Sequence, residues 1–383
     1  MVEVFVLPAG AGDCILIRFG SENSKRNNIL VDGGVNCNKE SIKKLINLIN
    51  SKGEKLDIII THVDSDHISG ILGGFNLCNE DVLNNCIRYI YLNTISGINR
   101  HSNNNVQDDP LNEIKLNISN SGGYSISEAV SLLEIIGLKG LSDRLVDYVI
   151  AGQVIELDSA TLRIISPSIN ELNRLATRWE QEKPNVNIEI AGYSPYYPSE
   201  IDSDLSVLME EPLPSPDTSI YNKSSIAFVF EYDDIKLLML GDASSDTCLR
   251  SIKEISLLKP FRADAVKLSH HGSSKNISDD FLDYVVTDTF VLSTNGRLIT
   301  GRAEMPGKHT ISRLIKKKHF NYVVVLNNYN WWDDCYKGNY FTKNDFHEYI
   351  NSKILRLITP KQDGHMVKEG LIVYGNWRQL FEI

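Results

Sequence analysis

Four side chains able to bind a metal fall within six residues: His62, Asp64, Asp66 and His67, in the run Thr61-His62-Val63-Asp64-Ser65-Asp66-His67. Imidazole and carboxylate donors together suit Zn²⁺, Mn²⁺ or Fe²⁺. The run follows Leu56-Asp57-Ile58-Ile59-Ile60, an apolar stretch with the length of a buried strand. Carboxylates and imidazoles stay mostly exposed unless paired or ligated. Four of them at the end of a buried strand therefore read as a metal-binding loop, and strand ends are where α/β architectures put their chemistry. The competing reading is a polar surface loop that happens to carry two His. The small supply of histidine, nine in the chain, weighs against it.

His62-x-Asp64-x-Asp66-His67 resembles the signature of the metallo-β-lactamase superfamily, H-x-[HD]-x-D-H, with Asp64 where the common form has His. The Asp form followed by Ile68-Ser69-Gly70 is similar to the competence-protein (ComEC-type) branch, whose metallo-hydrolase domain is associated with DNA uptake. The resemblance implies an αββα sandwich and extends to further residues. Asp32-Gly33-Gly34 is similar to the first motif, whose Asp is structural near the metals; a plain Asp-Gly hairpin turn is the alternative. Asp242, in Gly241-Asp242-Ala243 after the strand-like Ile235 to Leu240, matches the bridging carboxylate. One carboxylate between two cations neutralises both and fixes their spacing. His270-His271-Gly272-Ser273 is similar to the competence branch, with one His on a metal and the other orienting a ligand or a phosphate oxygen. Which does which stays open. Consecutive residues of a strand point opposite ways, so both can bind only if the chain turns sharply there, as Gly272 permits. In Gly307-Lys308-His309-Thr310, His309 matches the His of a His-Pro, Thr310 stands where the Pro would be, and Lys308 would meet a phosphate. The superfamily usually has one more His ligand before the bridging Asp. Only His101 lies between His67 and Asp242, in an Asn-rich segment with no strand to deliver it. Asn222 is expected in that region instead, a weaker neutral ligand that would loosen one metal position or favour Mn²⁺ over Zn²⁺.

The elements that must position these residues read as follows. Val2 to Val6, Cys14 to Phe19 and Asn28 to Val31 are short strands, the first buried on both faces. Lys39 to Lys52 has helical periodicity through Ile42, Leu45, Ile46 and Ile49. Ile68 to Asn76 opens a helix or a Gly-rich turn, and Ile87 to Leu92 is the next strand. Residues 93–120 turn polar, 125–148 are helical, and a hairpin surrounds Asp158-Ser159. Residues 169–218 read as an insertion or lid over the site, with a flexible linker between domains as the competing reading. The whole is an α/β chain with a hydrolase domain at 1–312 (core about 1–92 and 220–312, insertion about 93–219) and a C-terminal extension, 313–383, packed on it. Asn330-Trp331-Trp332-Asp333, in that extension, reads as core packing in preference to a substrate platform.

Composition bounds the function. The 383 residues are 42% hydrophobic and 23% charged, ordinary for a globular protein. No apolar stretch approaches the ~18 residues of a membrane span, and the first residues lack the features of a secretory signal. The six cysteines are scattered without a C-x-x-C pair, as reduced thiols of a cytoplasmic protein would be. A net charge of -10 argues against a broad nucleic-acid surface but leaves room for a phosphodiester held by metals and a local basic patch.

The expectation is a metal-dependent hydrolase with one or two Zn²⁺ or Mn²⁺ per chain, held by His62, Asp64, Asp66, His67, Asp242 and His270 or His271. A metal-activated water would attack the substrate, with Asp64 or Asp66 accepting a proton and His309 and Lys308 stabilising developing charge. The competence-branch resemblance implies a phosphodiester substrate, nucleic acid or nucleotide. A small ester or lactone hydrolase is the alternative within enzymes. A non-catalytic metal-binding subunit with a partner protein is the alternative outside them.

Overall fold

The computed structural model describes residues 1–10, 12–21, 24–101, 124–181, 200, 203–256, 259–295, 305–317, 322–327, 341–362, 364–377 and 379–380. Two eight-stranded sheets face each other. The first is ordered β17-β18-β1-β2-β3-β4-β5-β6. Its strands are β1 (Val2–Val6), β2 (Ile15–Phe19), β3 (Asn27–Val31), β4 (Lys55–Ile59), β5 (Ile87–Tyr91), β6 (Leu145–Val146), β17 (His365–Lys368) and β18 (Leu371–Tyr374). The second is ordered β16-β15-β14-β12-β10-β9-β8-β7. It holds β7 (Val154–Leu157), β8 (Ala160–Ser166), β9 (Ala227–Tyr232), β10 (Ile235–Met239), β12 (Ala265–Lys267), β14 (Thr289–Leu292), β15 (Tyr322–Leu326) and β16 (Leu355–Ile358). β11 (Phe261–Arg262) and β13 (Val285–Val286) pair separately.

Side chains alternate across each strand, and this alternation makes the layers. Val2, Val4 and Val6 of β1 join Phe19, Ile29, Phe228, Phe230, Leu237 and Val325 between the sheets. Phe5 of the same strand faces the other way, onto Ile42, Leu45, Ile46 and Ile49 of α1 (Lys39–Ser51) and Ile68, Ile71 and Phe75 of α2 (Ser65–Leu77). α3 (Glu80–Cys86), α4 (Ile95–His101), α5 (Tyr124–Leu138) and α6 (Ile169–Gln181) share that outer layer. On the far side, α7 (Leu205–Leu208), α9 (Ser245–Ile255), α10 (Asp279–Tyr284) and α11 (Lys308–Lys316) cover Val229, Leu238, Val266 and Leu292. α8 (Ile220–Lys223), a single turn, sits against α6. The order helix, sheet, sheet, helix is the αββα sandwich, and each fully buried aliphatic or aromatic side chain contributes roughly 1.5–3 kcal/mol to holding it.

Three features differ from the sequence expectation. The metal-binding run is only half a loop: Asp64 precedes α2, and Asp66 and His67 occupy its first turn. Within 93–219 the described strands join the sheets: β6 extends the first, and the hairpin β7–β8 pairs through β8 with β9 in the second. Described strands after residue 312 join both sheets: β15 and β16 extend one edge of the second, while β18 runs parallel to β1 with Leu371 opposite Val2. Short apolar runs at a chain end carry no mark of which sheet they will join, which is why these pairings escape pattern reading. Asn330-Trp331-Trp332-Asp333 lies outside the described residues. Among the described residues no helix is long and apolar enough to cross a membrane.

Candidate metal centre

The donors follow the ends of three strands, β4 in one sheet and the parallel pair β10 and β12 in the other. β4 leads to His62, Asp64, Asp66 and His67. β10 runs through Leu240 and Gly241 to Asp242. Gly241 has φ +50, and a Cβ there would lie 2.7 Å from Ser225 Oγ, so glycine lets the chain pass close to the site. β12 leads to His270 and His271, at φ 45 and 54. The sharp turn is therefore made by the two histidines themselves, in the left-handed region that non-glycine residues rarely adopt, and Gly272 merely continues it.

That turn brings four imidazoles onto one oxygen. Asp242 Oδ2 lies 3.9 Å from His62 Nε2, 3.5 Å from His67 Nε2, 3.8 Å from His270 Nε2 and 3.6 Å from His271 Nε2. Asp64 Oδ2 is 3.5 Å from His62 Nε2 and Asp66 Oδ2 is 3.4 Å from His271 Nε2. Donors about 2.1 Å from a tetrahedral cation stand about 3.4 Å apart, so these spacings suit shared ligation. His62, His67 and Asp242 make one such group, and Asp66, His67 and His271 another.

The rings are held from behind. His67 Nδ1 donates to Asp32 Oδ2 at 2.8 Å, His271 Nδ1 to the Ser293 carbonyl at 3.1 Å, and His270 Nδ1 to Asn276 Oδ1 at 3.0 Å. His62 Nδ1 lies 3.1 Å from Thr61 Oγ1 and 3.2 Å from Ser225 Oγ. A proton fixed on Nδ1 leaves the Nε2 lone pair facing the centre, the usual way a protein orients a metal-binding imidazole. His62 Nε2, His67 Nε2, His271 Nε2 and Asp242 Oδ1 are buried and have no hydrogen-bond partner. Leaving one such atom unsatisfied costs about 1–3 kcal/mol, and these four converge. One or two divalent cations would satisfy the imidazoles, so the residues fit the group.

Electrostatics agree. Burial alone would raise the Asp242 pKa, but His271, His67 and His270 hold it well below the carboxylate range. Asp66 is lowered likewise: burial opposes, while His67 and His271 prevail. Burial would lower the His67 and His271 values, yet Asp242, with Asp32 for the one and Asp13 for the other, lifts His67 well above the ordinary value and His271 to about 9. Protons and cations compete for the same lone pairs, so this is a site where metal uptake releases protons.

Two expected participants lie elsewhere. Lys308 opens α11, whose residues from Lys308 to Ile315 are all buried. A buried ammonium needs internal partners; Lys308 finds Asp345 at 3.0 Å and the Ser203 carbonyl at 2.6 Å. It is therefore an anchor for the C-terminal segment, not a phosphate contact. His309 has its Nε2 3.7 Å from Glu211 and its backbone N–H on Glu200, and makes no hydrogen bond or ion pair to the four imidazoles. Asn222 stands behind a donor, its Nδ2 3.4 Å from His270 Nδ1 and bonded to Asp217 Oδ2 at 2.6 Å. His101 stacks on Tyr148 at the outer surface.

Other residues belong to the centre although sequence reasoning passed them by. Asp13 forms a fully buried ion pair with Lys267, and its Oδ1 is 3.5 Å from His271 Nδ1. Lys267 donates to the Gly241 carbonyl at 3.1 Å and lies 4.0 Å from Asp242 Oδ1. Asp217 lies 3.4 Å from His270 Nδ1. Burial opposes its ionisation, but His270 holds its pKa below the usual range. Lys267 had a signal: a charged residue inside the apolar run Ala265-Val266-Lys267-Leu268. Gly12 lets Asp13 approach, since a Cβ there would sit 1.6 Å from the Asp66 carbonyl oxygen.

The family model described as "Metallo-beta-lactamase superfamily" matches residues 7–77, which include the Asp32 turn and the His62–His67 run. No curated protein matches. Among solved structures the chain is similar to a CmlA β-hydroxylase mutant (9% identity, TM-score 0.34, covering 81% of this chain and 47% of that one). It is also similar to Zn²⁺-bound PqqB from Methylobacterium extorquens (11%, 0.39, 94% and 98%). A third likeness is to a long-form RNase Z from yeast (11%, 0.36, 76% and 36%). The chain thus spans under half the length of the hydroxylase and of RNase Z, and likenesses at this level do not choose among chemistries. The family match covers residues 7–77, and the αββα layering and the imidazole–carboxylate cluster are in line with that resemblance.

Proposed function

We propose that the protein is a metal-dependent phosphodiesterase, acting on nucleic acid or a nucleotide. The observation that carries this reading is the convergence of four imidazole Nε2 atoms on Asp242 Oδ2, with Asp64 and Asp66 alongside. Donors gathered from both sides around the Asp242 carboxylate would suit a pair of cations, and paired cations serve in-line displacement at phosphorus. When bound, such cations supply Lewis acidity and make a nearby water easier to deprotonate. His62 and His270 would hold one, and Asp66, His67 and His271 the other, with Asp242 common to both. Asp32, Ser293 and Asn276 keep the four-donor face rigid by fixing His67, His271 and His270. The Asp66 carboxylate is a weak base because its neighbouring imidazoles hold its pKa low. Asp64, with 29% of its side chain exposed, is the carboxylate better suited to take a proton from the attacking water.

The test is elemental analysis of the purified protein together with hydrolysis of bis(p-nitrophenyl) phosphate, p-nitrophenyl acetate and a homoserine lactone. About two Zn or Mn per chain, and chelator-sensitive turnover of the phosphodiester alone, support the reading. Turnover of the ester or lactone instead would move the assignment to those substrates. No metal after supplementation would overturn catalysis and leave a binding subunit.

A further inference from the structure

We propose that the Lys267 ammonium is a built-in cation: it fills, behind Asp242, a place that a divalent ion would otherwise take, and so confines metal to the imidazole side of that carboxylate. This rests on the metal-centre part of the reading above and not on its choice of substrate. Lys267 is the last residue of β12, three before His270, and only 1% of its surface is exposed. An aliphatic side chain would pack at this point of a buried strand without the cost of desolvating a charge, so the charge itself needs a reason. Its partners are oxygens alone: Asp13 in a close ion pair, the Gly241 carbonyl at 3.1 Å and Asp242 Oδ1 at 4.0 Å. Two carboxylates and a carbonyl are the donor set of a hard divalent cation such as Mn²⁺ or Mg²⁺.

Two further observations separate this place from an ordinary buried ion pair. Asp242 divides its oxygens: Oδ2 faces the four imidazoles, and Oδ1 faces Lys267. The ammonium also leaves donors over. Asp13 Oδ1 and Asp242 Oδ1 are buried without a hydrogen-bond partner, on side chains whose residues are 1% and 2% exposed. Asp13, Asp242 and His271 hold ligand atoms within 4.8 Å of one another, close enough to share one ion. A single charge on a tether therefore sits where its surroundings offer more coordination than it uses. It differs from a metal in permanence. A chelator cannot extract it, so the outer oxygen of Asp242 stays engaged while the imidazole side is stripped, and Oδ2 stays turned to the four Nε2 atoms. Lys267 is thus a positioning residue that acts through Asp242 and caps the number of ions the centre accepts.

The experiment measures Mn²⁺ per chain, by equilibrium dialysis and elemental analysis, in the unaltered protein and in Lys267→Ala, which removes the ammonium and opens its space. The expected result is about one Mn²⁺ more per chain in the variant. Mn²⁺ should also raise the melting temperature further in the variant than in the parent, since an ion bound by the folded form alone stabilises it. The added ion should be lost in Lys267→Ala/Asp13→Asn, which removes an anionic ligand of that place, and absent from Lys267→Met, whose long side chain refills the space. Should Lys267→Ala fail to fold in metal-free buffer, it is refolded in Mn²⁺ under circular dichroism: refolding with the added ion supports the proposal, and refolding without it, or none, overturns it. Equal or lower Mn²⁺ content in a folded Lys267→Ala protein, or an added ion that persists without the Asp13 carboxylate, would overturn the proposal and leave the metal centre standing. An unaltered protein that takes up no metal would overturn the metal-centre reading and this inference with it.

Discussion

Replacing Asp32 by Asn should weaken metal binding by about 10- to 100-fold while leaving the fold intact. Asp32 is fully buried and holds a φ of 58, a left-handed conformation that Asn adopts as readily as Asp. The turn therefore survives, and only the chemistry of the head group changes. Asp32 Oδ1 accepts from the Thr61 amide at 2.8 Å, and Oδ2 accepts from Thr61 Oγ1 at 2.7 Å and His67 Nδ1 at 2.8 Å. An amide has one oxygen, so its nitrogen must face a donor whichever way it turns. If it faces His67, the imidazole moves its proton to Nε2, which points at the centre and blocks a cation. A hydrogen bond to a charged group contributes about 1.5–3 kcal/mol, and 1.4 kcal/mol is tenfold in affinity. Losses of this size, about 10- to 100-fold, are also typical when a metal-binding imidazole loses its supporting partner. The assay is Zn²⁺ competition against a chromophoric chelator, with circular dichroism as the check on folding. Unchanged affinity in a folded Asp32→Asn protein would refute the claim that this carboxylate sets the His67 tautomer.

Lys267→Met should destabilise the protein by about 3–5 kcal/mol in urea unfolding, because it strands the Asp13 carboxylate in the interior. Adding Asp13→Asn should recover part of that loss, and no recovery would mean the pair is not the cause. Arg88→Met removes the charged partner that meets Asp57 through Nε at 3.1 Å. Burial already raises the Asp57 pKa, with Arg88 opposing. A carboxyl with a raised folded-state value costs stability when ionised and gives that cost back as pH falls through it. The variant should therefore be weakest relative to the parent at neutral pH and approach it on acidification, as pH-dependent thermal melts would reveal. Lys308→Gln should lower stability through loss of the Asp345 ion pair yet retain full metal content by elemental analysis; loss of metal would return Lys308 to the site.

The part of the centre that was legible in the sequence is the part whose spacing is local. His62, Asp64, Asp66 and His67 announce themselves because four donors follow one buried strand. Helices of the first outer layer could be read from period, as in Ile42, Leu45, Ile46 and Ile49. What escaped was set by tertiary approach. Asp13 and Lys267 are 254 residues apart in the chain and meet under the donors; the apolar run around Lys267 marks it as unusual, but nothing in sequence joins it to Asp13. Asp217 lay in a stretch read as lid. Lys308 and His309 were assigned from their place in a motif, but adjacency does not give direction: burial of the first turn of α11 turns the ammonium to Asp345. For His270 and His271 the need for a sharp turn was foreseeable, whereas its location on the histidines themselves was a matter of backbone conformation.

The division of the donors between the sheets has a consequence for assembly. His62, Asp64, Asp66 and His67 follow a strand of the first sheet, and Asp242, His270 and His271 follow strands of the second. Ser293 Oγ bonds the Gly12 carbonyl and Asn327 Nδ2 bonds that of Leu7, clasping the same seam beside the centre. A cation held by both sets works as a rivet across the sandwich. Its full affinity would exist only once the two faces have docked. By mass action, free metal at a thousand times its dissociation constant would add about 4 kcal/mol to the closed form. The same bond that equips the protein for chemistry would then guard it against coming apart, and starvation for metal would be felt as fragility as well as silence.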